Sequence, residues 1–397
     1  MTTTDASASR SLTDGAIAAA LHTVSANAAT FGLRYPADTT TDGVYALRPA
    51  TDEHPAGSNL GWTTSFWPGQ LWLATELTDR EVFRDAALDH VASFAARVRD
   101  EVELDTHDLG FLYTLSCVTA WRLEGDVVAR EAALAAADAL MVRFLEPAGI
   151  IQAWGDLSDP RQRGRTIIDS LMNLPLLRWA SVVSGDRSYG DAADRHAVAL
   201  RDHILRPDGT TFHTFYWDAE TGAPLRGATE QGESDSSCWA RGQAWGIFGF
   251  ALTHRETGDE SFLEAARRCA DHFLEQLPPD GVPYWDLALV DVPRDSSAAA
   301  ITVCGLDELV RLLPENDPAR ARYADAATGM LDALVATCTP VAGADASPLL
   351  LHGVYDMPRG IGVDEGTLWG DYYFLEALTR RALPQWRSYW WVAGEER

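Results

Sequence analysis

The sequence predicts an all-α protein, an (α/α)6 toroid of six helical hairpins, and three observations predict it. One short turn recurs along the chain, the helices on its two sides differ in character, and the connections alternate in length. The turn reads Leu77-Thr78-Asp79, Glu124-Gly125-Asp126, Ser184-Gly185-Asp186, Thr257-Gly258-Asp259 and Asn316-Asp317-Pro318. Gly ends one helix and Asp caps the next, which is the device of a helical hairpin. Recurrence at intervals of roughly 50–70 residues marks a repeat architecture.

Twelve helices are expected, at 14–30, 65–78, 80–99, 107–124, 126–144, 166–184, 187–204, 238–257, 260–276, 295–313, 317–338 and 366–382. The even-numbered ones are apolar on most faces, and the odd-numbered ones are amphipathic and rich in Ala and Arg. Six buried helices alternating with six amphipathic ones give an inner ring inside an outer ring. Links from an inner helix to the next outer one are two to four residues, whereas 31–64, 145–165, 205–237, 277–294 and 339–365 enter inner helices and are long. All the long links must lie at one end, where loops on a rigid scaffold carry function. Thr210 to Leu225 alternates apolar and polar residues around Glu220-Thr221-Gly222 and reads as a short hairpin. No Ser/Gly-rich linker interrupts the series, so residues 1–397 read as one domain with a flexible segment at 1–13.

Composition narrows the partners. The net charge is −26, and all 32 basic residues are Arg. Such a surface repels nucleic acid and anionic lipid, but a local Arg and helix N-termini can hold a small anion. Arg-only usage is a matter of genomic bias or salt adaptation rather than mechanism. Fourteen Trp are enough for an aromatic cleft after about half have gone to the core. Cys117, Cys238, Cys269, Cys304 and Cys338 lack ligand spacing and read as reduced and structural, which fits a cytoplasmic protein. The polar stretch Met1 to Ser11 has no apolar signal core, and no apolar run approaches the ~20 residues of a membrane span.

The decorated end collects Trp62 and Trp67; His107 and Asp108; Trp154 and Asp169; Trp239, Arg241 and Trp245; Ser296 and Ser297; and Trp369 with Asp371. Asp108 opens the fourth helix, where an N-cap and a functional carboxylate are equally good readings. Asp169 stands among apolar residues in Ile167-Ile168-Asp169-Ser170-Leu171-Met172-Asn173, a poor place for an idle carboxylate. Desolvation there would keep it protonated, as a general acid requires. Asn173, four residues on and on the same helix face, is placed to orient it. Arg241 is a candidate carboxylate clamp, with a buried ion pair to an inner-ring acid as the alternative. The two Gly beside it, Gly242 and Gly246, cost about 1 kcal/mol each within a helix and imply close packing. His213 in the hairpin loop is by its spacing alone unremarkable.

There is no His-Glu-x-x-His, Cys-x-x-Cys, P-loop, Gly-x-Ser-x-Gly or dinucleotide fingerprint, so no metal and no cofactor is expected. Paired carboxylates in an aromatic cleft remain, which is carbohydrate chemistry.

At these residues the chain resembles the unsaturated glucuronyl hydrolases, glycoside hydrolase family 88. The resemblance runs from about residue 15 to 382 and rests on Phe66-Trp67-Pro68-Gly69-Gln70, His107-Asp108-Leu109-Gly110-Phe111, Ile168 to Pro175, and Trp239-Ala240-Arg241-Gly242-Gln243-Ala244-Trp245. Pro283-Tyr284-Trp285-Asp286, Asp295 to Ile301 and Trp369-Gly370-Asp371-Tyr372-Tyr373 extend it. It implies an (α/α)6 barrel that hydrates the C4=C5 vinyl ether of an unsaturated uronic acid at the non-reducing end of oligosaccharides, disaccharides above all. By that resemblance Asp169 protonates C4 and then helps water add at C5, and the hemiketal opens to release the remaining sugar. Asp108 would hold ring hydroxyls and stabilise positive charge; His213, Gln231 and Arg241 would bind substrate; Trp62, Trp154 and Trp245 would form apolar walls.

One departure bears on substrate. Family members that accept sulfated fragments resemble Ser-x-x-Ser-x-Lys after the His-Gly-Val-Tyr motif, whereas here Asp356, Arg359 and Ile361 hold those places. Three other readings compete: an unsaturated rhamnogalacturonyl hydrolase, a two-carboxylate glycosidase acting at C1, and a sugar-binding protein without activity.

Overall fold

The computed structural model describes residues 3–340 and 347–392, with side chains from Leu12 onward. Helices form at all twelve expected places, the one expected over 166–184 only from Leu174. The outer ring is α1 (Thr3–Phe31), α3 and α4 (Glu81–Asp89 and Val91–Arg99, broken at His90), α7 (Val127–Val142), α9 (Arg187–His203), α11 (Glu260–Gln276) and α13 (Pro318–Thr337). The inner ring is α2 (Phe66–Thr78), α5 and α6 (Leu109–Tyr113 and Thr119–Glu124), α8 (Leu174–Ser184), α10 (Ala240–Thr257), α12 (Ser296–Leu312) and α14 (Leu368–Ala382). Inner helices pack in sequence around the ring, and α14 returns to α2 to close it. The chain is an (α/α)6 barrel. α1 starts at Thr3, well before the expected residue 14; the side chains of most of the 1–13 segment lie outside the described residues.

The repeated turn works as its residues require. Gly125, Gly185 and Gly258 end helices in the left-handed region, and Asp79 adopts the same conformation at φ 55°. The side chains of Asp126, Asp186, Asp259 and Asp317 then accept backbone N–H groups from the first turns of α7, α9, α11 and α13. These tight turns leave the long loops at the opposite end.

Two inner helices are irregular beside the site. A π-helical turn, Thr114–Val118, separates α5 from α6, and a 3-10 segment, Ile168–Asn173, precedes α8. Pro175 explains the second: it lacks an N–H and so sits in the first turn of α8 rather than inside a continuous helix. α5 and the 3-10 segment approach so closely that a Cβ on Gly110 would overlap the Asn173 backbone. The Asn173 amide oxygen also accepts the Phe111 N–H at 2.8 Å. This contact brings Asp108 to Asp169.

Short strands brace the mouth. β1 (Phe144–Leu145) pairs with β2 (Ile150–Ile151). The expected hairpin is β4 (Thr214–Trp217) and β5 (Pro224–Ala228), and β3 (Arg165–Ile167) adds to it antiparallel, with Ile167 opposite Thr214. A hairpin that the sequence did not announce, β6 (Gly353–Asp356) and β7 (Ile361–Glu365), leads into α14. Among the described residues no helix is long and apolar enough to cross a membrane.

Candidate active site

The centre is a trio. His107 directs Nε2 at Asp108 Oδ1, 3.3 Å away, and at Asp169 Oδ1, 3.6 Å away. One atom from each of the three residues lies within 4.8 Å of the others. His107 is held from three directions: its N–H donates to the Ala153 carbonyl at 3.0 Å, its Nδ1 meets Ser170 Oγ at 3.0 Å, and its ring is buried. The side chains of Asp108 and Asp169 keep 16% and 13% exposure, so both reach the mouth from a mostly dry setting.

Asp108 stands at the N-cap position of α5, yet its side chain caps nothing. Its Oδ2 accepts from Thr106 Oγ1 at 2.7 Å, which leaves Oδ1 facing His107. Of the two readings open from sequence, the capping one is not realised.

Asp169 has a buried Oδ1 without a hydrogen-bond partner. Burial raises its pKa to about 7, with Asp108 pushing the same way and His107 and Arg241 opposing. For His107, burial disfavours the imidazolium, but the attraction of Asp108 and Asp169 outweighs it and raises the pKa. Asp169 is therefore held far above the usual carboxylate range, toward its protonated form.

Asn173 does not orient Asp169, contrary to the expectation from i,i+4 spacing. In a 3-10 segment residues three apart eclipse, so the fourth residue turns away, and the Asn173 oxygen goes to Phe111 instead.

Arg241 is fully buried between the rings of Trp239 and Trp369, 4.4 and 5.0 Å from their centres. Its Nη1 pairs with Asp295 Oδ2 at 3.2 Å and donates to the Val354 carbonyl; its Nη2 donates to the Tyr355 carbonyl at 2.8 Å. The ion pair to an inner-ring acid is formed, and the guanidinium ties the β6–β7 hairpin to the barrel while its charge still faces Asp169.

His213 reaches the same place through the sheet, because its carbonyl accepts the Ile168 N–H at 3.1 Å, next to Asp169. Burial drives its pKa down to about 3, so the ring is neutral. Gln231 donates its amide N–H to the Tyr355 carbonyl at 2.9 Å, so its oxygen faces His213 Nε2 at 3.2 Å and accepts a hydrogen bond from it. Thr214 Oγ1 lies 2.6 Å from the other ring nitrogen, and Trp239 packs on the ring at 4.8 Å.

The rings of Trp62 and Trp369 pack tilted with centres 5.1 Å apart, and Trp62 Nε1 donates to Tyr355 Oη at 3.0 Å. Trp154 is half-buried, follows the carbonyl that holds His107, and lies under the Arg165 guanidinium. Trp245, Ser296 and Ser297 are drawn inward. Trp245 is 1% exposed and backs Phe111 and Tyr373, so it supports the cleft from below rather than forming its wall. Ser297 Oγ donates to Asp295 Oδ1 at 2.6 Å, and the Ser296 N–H donates to the His352 carbonyl. Asp371 accepts from Tyr45 Oη and from the Leu349 and Leu350 N–H groups, a structural tie. Tyr355, Asp295 and Ser170 are the site residues that spacing did not single out, since each matters through a partner remote in sequence.

Residues 43–282 match the profile of Glycosyl Hydrolase Family 88. The chain belongs to that family. It is a glycoside hydrolase. The unsaturated chondroitin disaccharide hydrolase of Streptococcus pneumoniae is 46% identical over 90% of this chain and 88% of its own length. The crystal structure of an unsaturated glucuronyl hydrolase from Streptococcus agalactiae superposes with a TM-score of 0.91, at 43% identity, over 96% of this chain and 94% of that one. A variant from the same organism, complexed with dGlcA-GalNAc6S, gives a TM-score of 0.83 at 41% identity over 95% and 93% of the two chains.

The pKa of Asp169 also has a consequence for stability. Raised from 3.8 to about 7 on folding, it makes the folded state the tighter proton binder, so stability is fullest below about 4 and falls as pH rises through 7. Asp169→Asn lacks this term. In urea denaturation the variant should gain on the wild type as pH rises across that window, by more than about 1 kcal/mol. A difference that stays constant with pH contradicts the shift.

Proposed function

We propose that this family 88 hydrolase removes 4,5-unsaturated uronic acid from the non-reducing end of small oligosaccharides by hydrating the C4=C5 double bond. The observation that carries the reading is Asp169, a carboxyl whose pKa burial raises to about 7 and whose buried Oδ1 makes no hydrogen bond. In this reading Asp169 gives its proton to C4, and positive charge develops on C5 and the ring oxygen. Asp108 and the half-buried ring of Trp62 border that charge, while Trp369, wholly buried, backs Trp62 from below. Water adds to C5 while its proton returns to Asp169, and the hemiketal opens to free the second sugar. Asp108 is also the group for the ring hydroxyls, and neutral His213, Gln231 and Arg241 set the side on which the uronate lies.

The placement of the two carboxylates disfavours an inverting displacement at C1. Their nearest oxygens share one imidazole nitrogen, so they approach the substrate from one side. Both classes of displacement glycosidase flank the scissile bond with their carboxyls, an inverting one about 6.5–9.5 Å apart with room for water between them and a retaining one about 5–5.5 Å apart. Here all three groups lie within 4.8 Å. The relatives' names, chondroitin disaccharide and glucuronyl hydrolases, support a uronate-first disaccharide over a rhamnogalacturonan fragment. A cytoplasmic setting fits the five cysteines, all free and buried.

Asp169→Asn tests the assignment. The amide cannot deliver a proton, and positioned acid catalysis contributes about 10²–10⁴-fold. Loss of the conjugated acid's ultraviolet absorbance, followed with an unsaturated chondroitin disaccharide, should slow by that factor in a folded variant. Turnover above about a tenth of wild type refutes the role.

Sulfated substrates should be the poorer ones. Asp356, at the end of β6, is buried and accepts from both the N–H and the guanidinium of Arg359, which also lies 3.7 Å from Glu230. The cation is thus matched by two carboxylates, and Ile361 offers no donor. An unsulfated disaccharide should show the higher kcat/KM in a matched pair with its 6-sulfated form, and equal values contradict the reading.

A further inference from the structure

We infer that Ser170 is a positioning residue: it commits its own proton to the Ile167 carbonyl and thereby fixes the tautomer of His107, so that Nε2 is the nitrogen shared by Asp108 and Asp169. The inference rests on the function proposed above and on a count of protons. Ser170 Oγ lies 2.6 Å from the Ile167 carbonyl oxygen, which can only accept. A hydroxyl carries one proton, and two bare oxygens at that distance would repel, so the proton goes to Ile167. Toward His107 Nδ1, 3.0 Å away, Ser170 can then only accept. Nδ1 therefore carries a hydrogen in both the neutral and the charged ring.

That leaves Nε2 as the titrating nitrogen. Its nearest neighbours are Asp108 Oδ1 at 3.3 Å and Asp169 Oδ1 at 3.6 Å, so a bare lone pair there would confront the Asp108 carboxylate. Protonated, Nε2 donates to Asp108 Oδ1 and leaves the Asp169 proton free for the substrate. The other charged groups are farther off: Arg241 faces Asp169, while His213 and His196 sense the His107 charge from the sheet and from α9. Both ends of the device come from one segment. Ile167, the N-cap of the 3-10 turn, supplies the carbonyl; Ser170, three residues on, eclipses it. The tight 3-10 turn that carries Asp169 to the mouth therefore also aims the imidazole beside it. Without Ser170 the ring can flip or change tautomer, and the proton on Nε2 is no longer assured.

The test uses the intact protein labelled with ¹⁵N-histidine. Long-range proton–nitrogen correlations would be followed across a pH series, with the His107 signals assigned by their loss in His107→Gln. Nδ1 protonated at every pH, with Nε2 alone titrating, is the expected result; a neutral ring with its hydrogen on Nε2 overturns the inference. Activity gives the second arm. Ser170→Ala should lower kcat by about tenfold or more with KM within about twofold, move the pH profile, and be partly rescued by Ser170→Thr. A folded Ser170→Ala enzyme with wild-type kcat and pH profile overturns the positioning role even if hydration stands. If the wild type does not act on unsaturated disaccharides, the functional reading fails, and the nitrogen signals alone decide the tautomer.

Discussion

Two carboxylates and an imidazole packed within 4.8 Å set the terms for the rest of the molecule. Bringing Asp169 out of water beside Asp108 disfavours its ionised form, and a flexible chain would simply let the groups separate. Separation is prevented by backbone contact: Gly110 leaves no room for a side chain against Asn173, and the Asn173 oxygen holds the Phe111 N–H. Burial beside Asp108, enforced by the rigidity of two inner helices rather than by a dedicated hydrogen bond, raises the pKa of the acid. This is the physical content of a perturbed pKa at a functional site.

The barrel supplies that rigidity unevenly. At the end of tight Gly-Asp turns, short links and Asp caps fix the pitch of each hairpin. At the other end the three-stranded sheet sets His213 against the start of the Asp169 segment, and the β6–β7 hairpin is clamped by Arg241. Arg241 illustrates how a charge serves two ends. Its pairing with Asp295 and with two carbonyls is structural, while the field it keeps at Asp169 bears on the chemistry.

What was legible in the sequence was local. Hairpin turns carry their own signals, since Gly and Asp act within a few residues of where they stand, and so the helices, except for the early start of α1 and the late start of α8, and the hairpin around Glu220-Thr221-Gly222 emerge where expected. Asp169 was legible because an acid among apolar neighbours is costly. Its relation to Asn173 was not, because i,i+4 geometry presumes an α-helix. Pro175 held the warning, since a helix cannot run through it without losing a hydrogen bond. Tyr355, Ser170 and Asp295 were hidden for a different reason: their roles are defined by partners dozens to hundreds of residues away, joined by two- to five-residue strands and single hydrogen bonds that leave no periodic trace. Trp245 shows the converse, a motif residue whose ring lies under the cleft.

The central claim is that Asp169 protonates carbon rather than a leaving oxygen, and the fate of solvent hydrogen tests it most directly. With an unsaturated disaccharide in deuterated water, examined early in the reaction, the account predicts a deuteron at C4 of the released uronate, delivered from a single face. Release of the second sugar with C4 free of solvent hydrogen, and with oxygen from ¹⁸O water bound at C1, would contradict it.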